Sequence, residues 1–301
     1  MRRRWQSTLI FDRIKIKVKA ICSIFYDAYK NFSNDNIALA IGSISFFTFL
    51  SLVPLTLLAV KFAAPYFFGF LDAAQNTIGP TLYRSLNLQL EAVKNIRELP
   101  LIIALGFGLW SGGNIFLNLE AAMNIVWKAP KQRPLWRRRI LAIFMIFIFA
   151  LFFTMSFLSV NFIRLVSMRL ISLNIDIIPD ITIMGILQAF TITIIIPTIL
   201  IVALFATIYF KMPNVKVPLK YVFPGAISAA IAWTISLHVF SWFASYNFDR
   251  YQIIYGSLTS IMLLLLWLFY SSYILMFGAE LSAAVYRYKT SKQESEEEPL
   301  T

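Results

Sequence analysis

Long apolar runs alternate with short polar segments along the chain. A helix needs about 20 residues to cross a hydrocarbon core of about 30 Å, and six of the runs reach that length. They span residues 37–63, 100–127, 140–162, 181–210, 221–244 and 253–278. The pattern therefore predicts an all-α, polytopic membrane protein with about six transmembrane helices.

Two segments outside these runs predict helices that lie on a membrane surface. Residues 1–36 mix basic and apolar positions and predict an amino-terminal surface helix, and residues 65–99 predict an outer amphipathic helical segment because their apolar residues recur at helical spacing. The chain then divides into a basic cytoplasmic segment (1–36), a six-helix transmembrane domain (37–285) and a polar cytoplasmic tail predicted to be disordered (286–301).

Basic residues are distributed unequally between alternate loops. The amino-terminal segment, the second and fourth loops and the tail contain 20 Lys and Arg residues, whereas the opposite side contains 6. Because Lys and Arg accumulate in cytoplasmic loops, both ends of the chain are predicted to be cytoplasmic.

Composition narrows the expected chemistry. The chain is 59% hydrophobic and 14% charged, whereas soluble domains are about 25% charged. Its net charge of +12 fits orientation in a membrane better than binding of nucleic acid. The sequence has one cysteine and no Cys/His group with metal-ligand spacing, so we expect no metal and no cofactor. Because no catalytic motif is visible either, we expect that the protein is not an enzyme.

Polar and small residues in the first two runs are the main candidates for a substrate pathway. Ser45 and Thr48 precede Pro54 in the first run, and the second contains close-packing glycines, two amides and a carboxylate: Gly108, Gly112, Gly113, Asn114, Asn118 and Glu120. Because amide and carboxyl groups in lipid need partners, we predict that Asn114, Asn118 and Glu120 line a hydrated cavity near Ser45 and Thr48. The alternatives are helix packing for the hydroxyls and glycines, and snorkelling for Glu120.

Two further ionisable residues lie in or beside the last two runs. His238 is a candidate for a pathway residue or proton relay, although a hydrogen-bonded packing histidine is the alternative that we favour. Glu280 follows Gly278 at the cytoplasmic end of the last run, where we expect a structural pair with a basic residue of a neighbouring loop.

Four segments, residues 43–60, 108–127, 213–233 and 255–284, together resemble the YihY/BrkB family of bacterial inner-membrane proteins. The resemblance spans nearly the whole chain, and its motif residues include Pro54, Pro224, Gly225, Gly256, Gly278 and Glu280. It implies six spans and a location in the bacterial cytoplasmic membrane. The family carries an old label as ribonuclease BN that is generally regarded as mistaken, and nothing in this sequence supports that label.

The preferred functional hypothesis is transport or flipping of an amphipathic envelope molecule, such as a phospholipid or a lipid-linked precursor. Membrane lipids are then the expected partners. The alternative is a non-transporting scaffold in envelope maintenance, and a homo-oligomer or envelope protein partners fit either hypothesis. A continuous polar cavity open to a leaflet favours transport, whereas a packed interior with a large exposed apolar outer patch favours the scaffold.

The orientation predicts the labelling behaviour of Cys22, the only cysteine of the chain. Because Cys22 lies in the most basic segment, before the first apolar run, a membrane-impermeant thiol reagent should label it only after cells are permeabilised. Labelling in intact cells would overturn the predicted topology.

Overall fold

The computed structural model describes residues 19–35, 37–52, 54, 61, 98–172 and 195–297. Within these ranges the regular elements are helices, with no strand, and the all-α prediction is confirmed. The predicted outer amphipathic segment falls almost wholly outside the described residues, as does the first part of the predicted fourth span.

Seven α-helices follow one another in the described part of the chain. The first two are α1 (Lys19–Asn34) and α2 (Ile37–Leu52), and the other five are α3 (Glu98–Val126), α4 (Leu135–Ser172), α5 (Ile196–Lys211), α6 (Leu219–Tyr255) and α7 (Thr259–Glu297). A 3-10 helix, Gly256–Leu258, joins α6 to α7.

Three stretches of these helices are long and apolar enough to cross a membrane: Leu99–Val126, Leu219–Tyr255 and Thr259–Gln293. A fourth is added if α1 and α2 together form one broken span, and α5 is a shorter apolar helix of 16 residues. These findings agree with a multi-pass helical membrane protein. The total of six spans stays a prediction.

The carboxyl-terminal boundary differs from the prediction. The acidic composition predicts a disordered tail from residue 286, but α7 continues to Glu297. Its last turns are rich in Lys, Gln and Glu, which have high helix propensity. They also extend a helix that packing has already nucleated, so no new nucleation cost arises.

The turn between α6 and α7 requires a glycine. Gly256 ends α6 with φ 56° and ψ −131°, a conformation that side chains with a Cβ rarely adopt. The buried Thr259 then begins α7, and its hydroxyl donates a hydrogen bond to the Gly256 carbonyl at 2.8 Å. The two long helices consequently form an antiparallel hairpin.

The half of this hairpin that lies farther from Gly256 is held together by small residues. A Cβ atom built at Gly225 would overlap the Gly278 carbonyl and the Ser282 hydroxyl, and one built at Gly278 would overlap the Ala229 Cβ. The hydroxyl of Tyr209, on α5, donates to the Leu275 carbonyl at 2.6 Å in the same region. Gly225 and Gly278 therefore permit the close approach of three helices.

This packing predicts that the effect of a change to alanine differs from one glycine to another. Gly225→Ala and Gly278→Ala should each destabilise the protein by about 1–3 kcal/mol, because the added methyl has no space. Gly106→Ala is the matched control, since a Cβ at Gly106 meets no atom within 4 Å. Thermal unfolding in detergent measures the difference, and equal midpoints for all three variants would contradict the proposed contact.

Candidate functional site

Hydroxyl groups of α2 and α7 meet in the interior. The Ser45 hydroxyl donates to the Ile41 carbonyl at 2.7 Å and lies 3.1 Å from the Ser272 hydroxyl of α7. Thr48 and Ser51 donate to carbonyls of their own helix, at Ile44 and Thr48 respectively. Ser45 therefore links two helices, whereas the other two hydroxyls satisfy local backbone carbonyls.

A cavity of about 340 Å³ lies beside these hydroxyls. Its walls come from α2 to α7, and apolar side chains form most of the lining. Hydroxyl groups among the described lining residues come from Thr48 and Ser51 of α2 and from Ser271 and Ser272 of α7. We call this space the interhelical cavity. Gly108 and Gly112 of α3 also line it, so two of the predicted glycines border the space.

The two predicted amides lie outside the lining of this cavity. Asn114 donates to the Trp110 carbonyl at 2.9 Å, and Asn118 donates to the Asn114 carbonyl at 2.8 Å. Both amides thus bond the preceding turn of α3. Residues 53, 55–60, 62–97 and 173–194 are not described, so these contacts refer to the described part of the chain alone.

Glu120 lies near the end of α3 and is held by two arginines. Its side chain is only 1% exposed. Arg133 donates to its Oε1 at 2.9 Å, and Arg138 donates to its Oε2 at 3.1 Å. Each carboxylate oxygen therefore has its own guanidinium, which offsets much of the cost of burying the charge.

Arg133 also connects the loop between α3 and α4 to the end of α5. It donates to the carbonyls of Met212 at 2.6 Å and Pro213 at 2.7 Å. These carbonyls follow the last turn of α5, where a cation interacts favourably with the helix dipole. The Asn214 backbone N–H donates to Asn124 Oδ1 at 2.7 Å, so the loop after α5 also contacts α3.

The direction of the loop between α3 and α4 is set by Lys128, which has a positive φ angle. Lys128 has φ 49°, its N–H donates to the Ile125 carbonyl, and the Ala129 N–H donates to the Asn124 carbonyl. This is the hydrogen-bond pattern of a Schellman motif, which glycine usually completes. The chain then turns back below α3, which brings Arg133 and Arg138 to Glu120.

The remaining candidates are separated from this cluster. His238 is exposed on α6 and forms no hydrogen bond with another described residue. Gly113 is buried, and a Cβ there would lie 4.0 Å from a guanidinium nitrogen of Arg139. Pro54 is the residue nearest a Cβ built at Gly108, at 3.5 Å, and Pro224 lies inside α6 next to Gly225. The structure therefore places the predicted residues in several locations.

A family model described as Virulence factor BrkB matches residues 28–301. The chain belongs to the BrkB family. One relative of this BrkB-family chain, the UPF0761 membrane protein PBPRA3489 of Photobacterium profundum, is 28% identical over 293 residues, which cover 93% of this chain and 86% of the relative. No solved structure matches the chain.

Two other relatives of the BrkB-family chain match over shorter stretches. A UPF0761 membrane protein of Actinobacillus pleuropneumoniae is 37% identical over 97 residues, which are 32% of this chain and 35% of the relative. The ribonuclease-like protein YfkH of Bacillus subtilis is 33% identical over 99 residues, which are 33% of this chain and 35% of the relative. The chain thus aligns with about a third of each of these two proteins.

The sequence of this BrkB-family chain did not predict which residues pair with Glu120 or which residues of α7 supply hydroxyl groups to the interhelical cavity. Arg133 and Arg138 were visible only as part of a basic loop, and Ser271 and Ser272 only as two serines in an apolar run. The signal that was available is spacing, because a buried carboxylate at the end of one helix faces the loop that follows it. Arg133 and Arg138 lie 13 and 18 residues after Glu120.

The arginine contacts predict that Glu120 contributes mainly to stability. Glu120→Gln should lower the stability by several kcal/mol, because breaking a buried pair by removing one partner costs about 3–5 kcal/mol. Asp249→Asn, at an exposed position of α6, is the control that should leave stability unchanged. Thermal unfolding in detergent measures both. A Glu120→Gln protein as stable as wild type, with impaired function, would support the pathway hypothesis instead.

Proposed function

We propose that the chain moves an amphipathic lipid, such as a phospholipid or a lipid-linked precursor, across the bacterial cytoplasmic membrane, with both of its ends in the cytoplasm. The observation that carries the proposal is the interhelical cavity. Its volume of about 340 Å³ falls within the range of about 300–1,000 Å³ that is usual for small-molecule sites.

The lining of the cavity suits the apolar part of such a lipid. Leu105, Phe116, Ile146 and Phe205 are among the side chains that face the space. This lining differs from the predicted hydrated cavity, because Asn114, Asn118 and Glu120 lie elsewhere. An acyl chain suits apolar walls because it has no polar group that needs a hydrogen-bond partner, and the hydroxyls of Thr48 and Ser272 offer polar contacts to an ester or a headgroup.

A basic surface near the arginine cluster suits a negatively charged headgroup. The loops before α4 and α6, and the ends of the helices beside them, contain seven exposed cations: Lys128, Lys131, Arg137, Arg139, Lys211, Lys216 and Lys220. None of them forms an ion pair with a described carboxylate. Basic groups at a membrane surface attract anionic lipids, by about 1 kcal/mol for each Lys or Arg. The surface also supports a cytoplasmic orientation of these loops.

The proposal is tested by filling the cavity. Gly112→Leu places a large side chain into the space, since a Cβ at Gly112 lies 3.8 Å from the Ile146 Cδ1 and so meets no backbone. Gly106→Leu is the matched control, because it makes the same change on the same helix at an exposed position. In proteoliposomes with a labelled phospholipid in one leaflet, Gly112→Leu should slow lipid movement by about tenfold.

The same experiment identifies the results that contradict the proposal. Wild-type protein that does not accelerate lipid movement over empty liposomes would leave the scaffold as the better account. Equal rates for the two leucine variants, with both proteins folded, would show that any lipid movement does not depend on the cavity.

We also propose that the protein is not a nuclease. RNA cleavage by purified protein that a point substitution in this chain abolishes would contradict this proposal.

A further inference from the structure

A second buried glutamate has a different environment from Glu120. Glu280, on α7, has a side chain that is 0% exposed. Its Oε1 accepts a hydrogen bond from Arg287 at 2.6 Å. Its Oε2 is buried and has no hydrogen-bond partner in the described part of the chain. The expected basic partner is therefore present, but it lies on the same helix and contacts only one oxygen.

Arg287 is shared with a second carboxylate. Its Nη2 lies 2.9 Å from Asp27 Oδ2, and its Nε donates to the same oxygen at 3.0 Å. Asp27 belongs to α1, so the guanidinium joins α1 to α7. Glu120 has two arginines for one carboxylate, whereas Glu280 has part of one arginine. A carboxylate with an unpartnered oxygen in a buried site is costly while it is ionised.

Nearby charges add to this cost. Asp27 is a second carboxylate on the same guanidinium, and Asp35, which follows α1, has a buried Oδ2 without a hydrogen-bond partner among the described residues. Tyr209 of α5 donates to a backbone carbonyl, and Tyr221 of α6 packs against the Tyr286 ring, so neither offers a compensating charge. Two carboxylates, Asp27 and Glu280, therefore share one described guanidinium.

We propose that Glu280 is a proton-binding site, at which Oε2 takes up a proton from cytoplasmic water. The reaction is a simple transfer: hydronium gives its proton to Oε2, the carboxylate becomes a neutral carboxylic acid, and water remains. No group of three or more His, Cys, Asp or Glu side chains suited to a metal ion occurs among the described residues. A proton needs only the one free oxygen.

The edge of the cluster is open to water. Exposure rises from Glu280 at 0% through Arg287 at 27% to Asp27 at 42%, so the cluster is accessible to water at Asp27 of α1. When Glu280 is neutral, Asp27 is the one of these two carboxylates that still carries a negative charge beside Arg287. The ion pair between Arg287 and Asp27 then becomes stronger, and with it the contact between α1 and α7. Resting on the proposed function, we assign the proton as the ion that couples to lipid movement.

Infrared difference spectroscopy of the full chain in lipid nanodiscs tests the proton site without any substrate. Raising the pH should remove the C=O band of a neutral carboxylic acid in wild type, and this titrating band should be lost in Glu280→Gln. Asp249→Asn, an exposed position, should retain it. A band that titrates equally in Glu280→Gln, or no titrating band in wild type, would overturn the proposal.

A second variant keeps the test decisive if Glu280→Gln does not fold. Asp27→Asn removes a negative charge and leaves Arg287 to Glu280 alone, so the ionised form gains stability and the proton should be released at a pH lower by about one unit or more. A titration of the band that is unchanged in Asp27→Asn would contradict the role of the shared arginine.

Lipid movement under an imposed pH gradient tests the coupling separately. Movement by wild type should respond to the gradient, and movement by Glu280→Gln should not. Wild-type movement that ignores the gradient would overturn the coupling. Absence of any lipid movement would overturn the proposed function, while the infrared titration decides the proton site by itself.

Discussion

The lack of a Cβ at Gly225 and Gly278 sets how closely α6 and α7 approach, and much of the described interior depends on that distance. At this separation the Ser282 hydroxyl reaches the Val222 carbonyl at 3.1 Å across the two helices. Further along the pair, Trp233 donates to the Ser271 hydroxyl at 3.1 Å. The part of the cavity wall that α6 and α7 form and the buried position of Glu280 both depend on the same contact.

The two buried glutamates show how partners decide the role of one residue type. Glu120 has a charge-assisted hydrogen bond at each oxygen, so its burial is largely compensated and the cluster acts as a rigid connection between loops. Glu280 shares a single guanidinium with Asp27, so its charge is only partly compensated. An incompletely satisfied buried group is a common position for exchangeable protons in membrane proteins, because a small change in surroundings alters its charge.

The helices were predictable from the sequence, whereas the site was predictable only in part. Hydrophobic length alone indicated α3, α6 and α7, because lipid leaves helices as the main way to satisfy a spanning backbone. The apolar runs do not show which polar side chains are buried or which groups those side chains bond. Asn114 and Asn118 seemed suited to a cavity, yet each bonds the carbonyl four residues before it. Only the fold shows that Arg133 reaches both Glu120 and α5.

The end of α7 is a second case in which composition alone did not predict the local structure. Acidic, polar residues are typical of disorder when they stand alone, but at the end of a long helix they prolong it at little cost. The helix therefore continues past residue 286, because these residues extend the packed helix that precedes them. Similarly, His238 is the only histidine in the sequence, and its rarity gave no information on whether α6 would bury or expose it.

The contacts of Arg133 also imply an order of events during synthesis. Glu120 lies 13 residues from Arg133, but the carbonyls of Met212 and Pro213 lie 79 and 80 residues from it. A growing chain thus completes and neutralises the α3–α4 hairpin well before α5 leaves the ribosome. The Arg133 guanidinium is therefore already oriented by Glu120 when the end of α5 is synthesised and can bind its carbonyls. This part of the protein is assembled in the order in which it is translated.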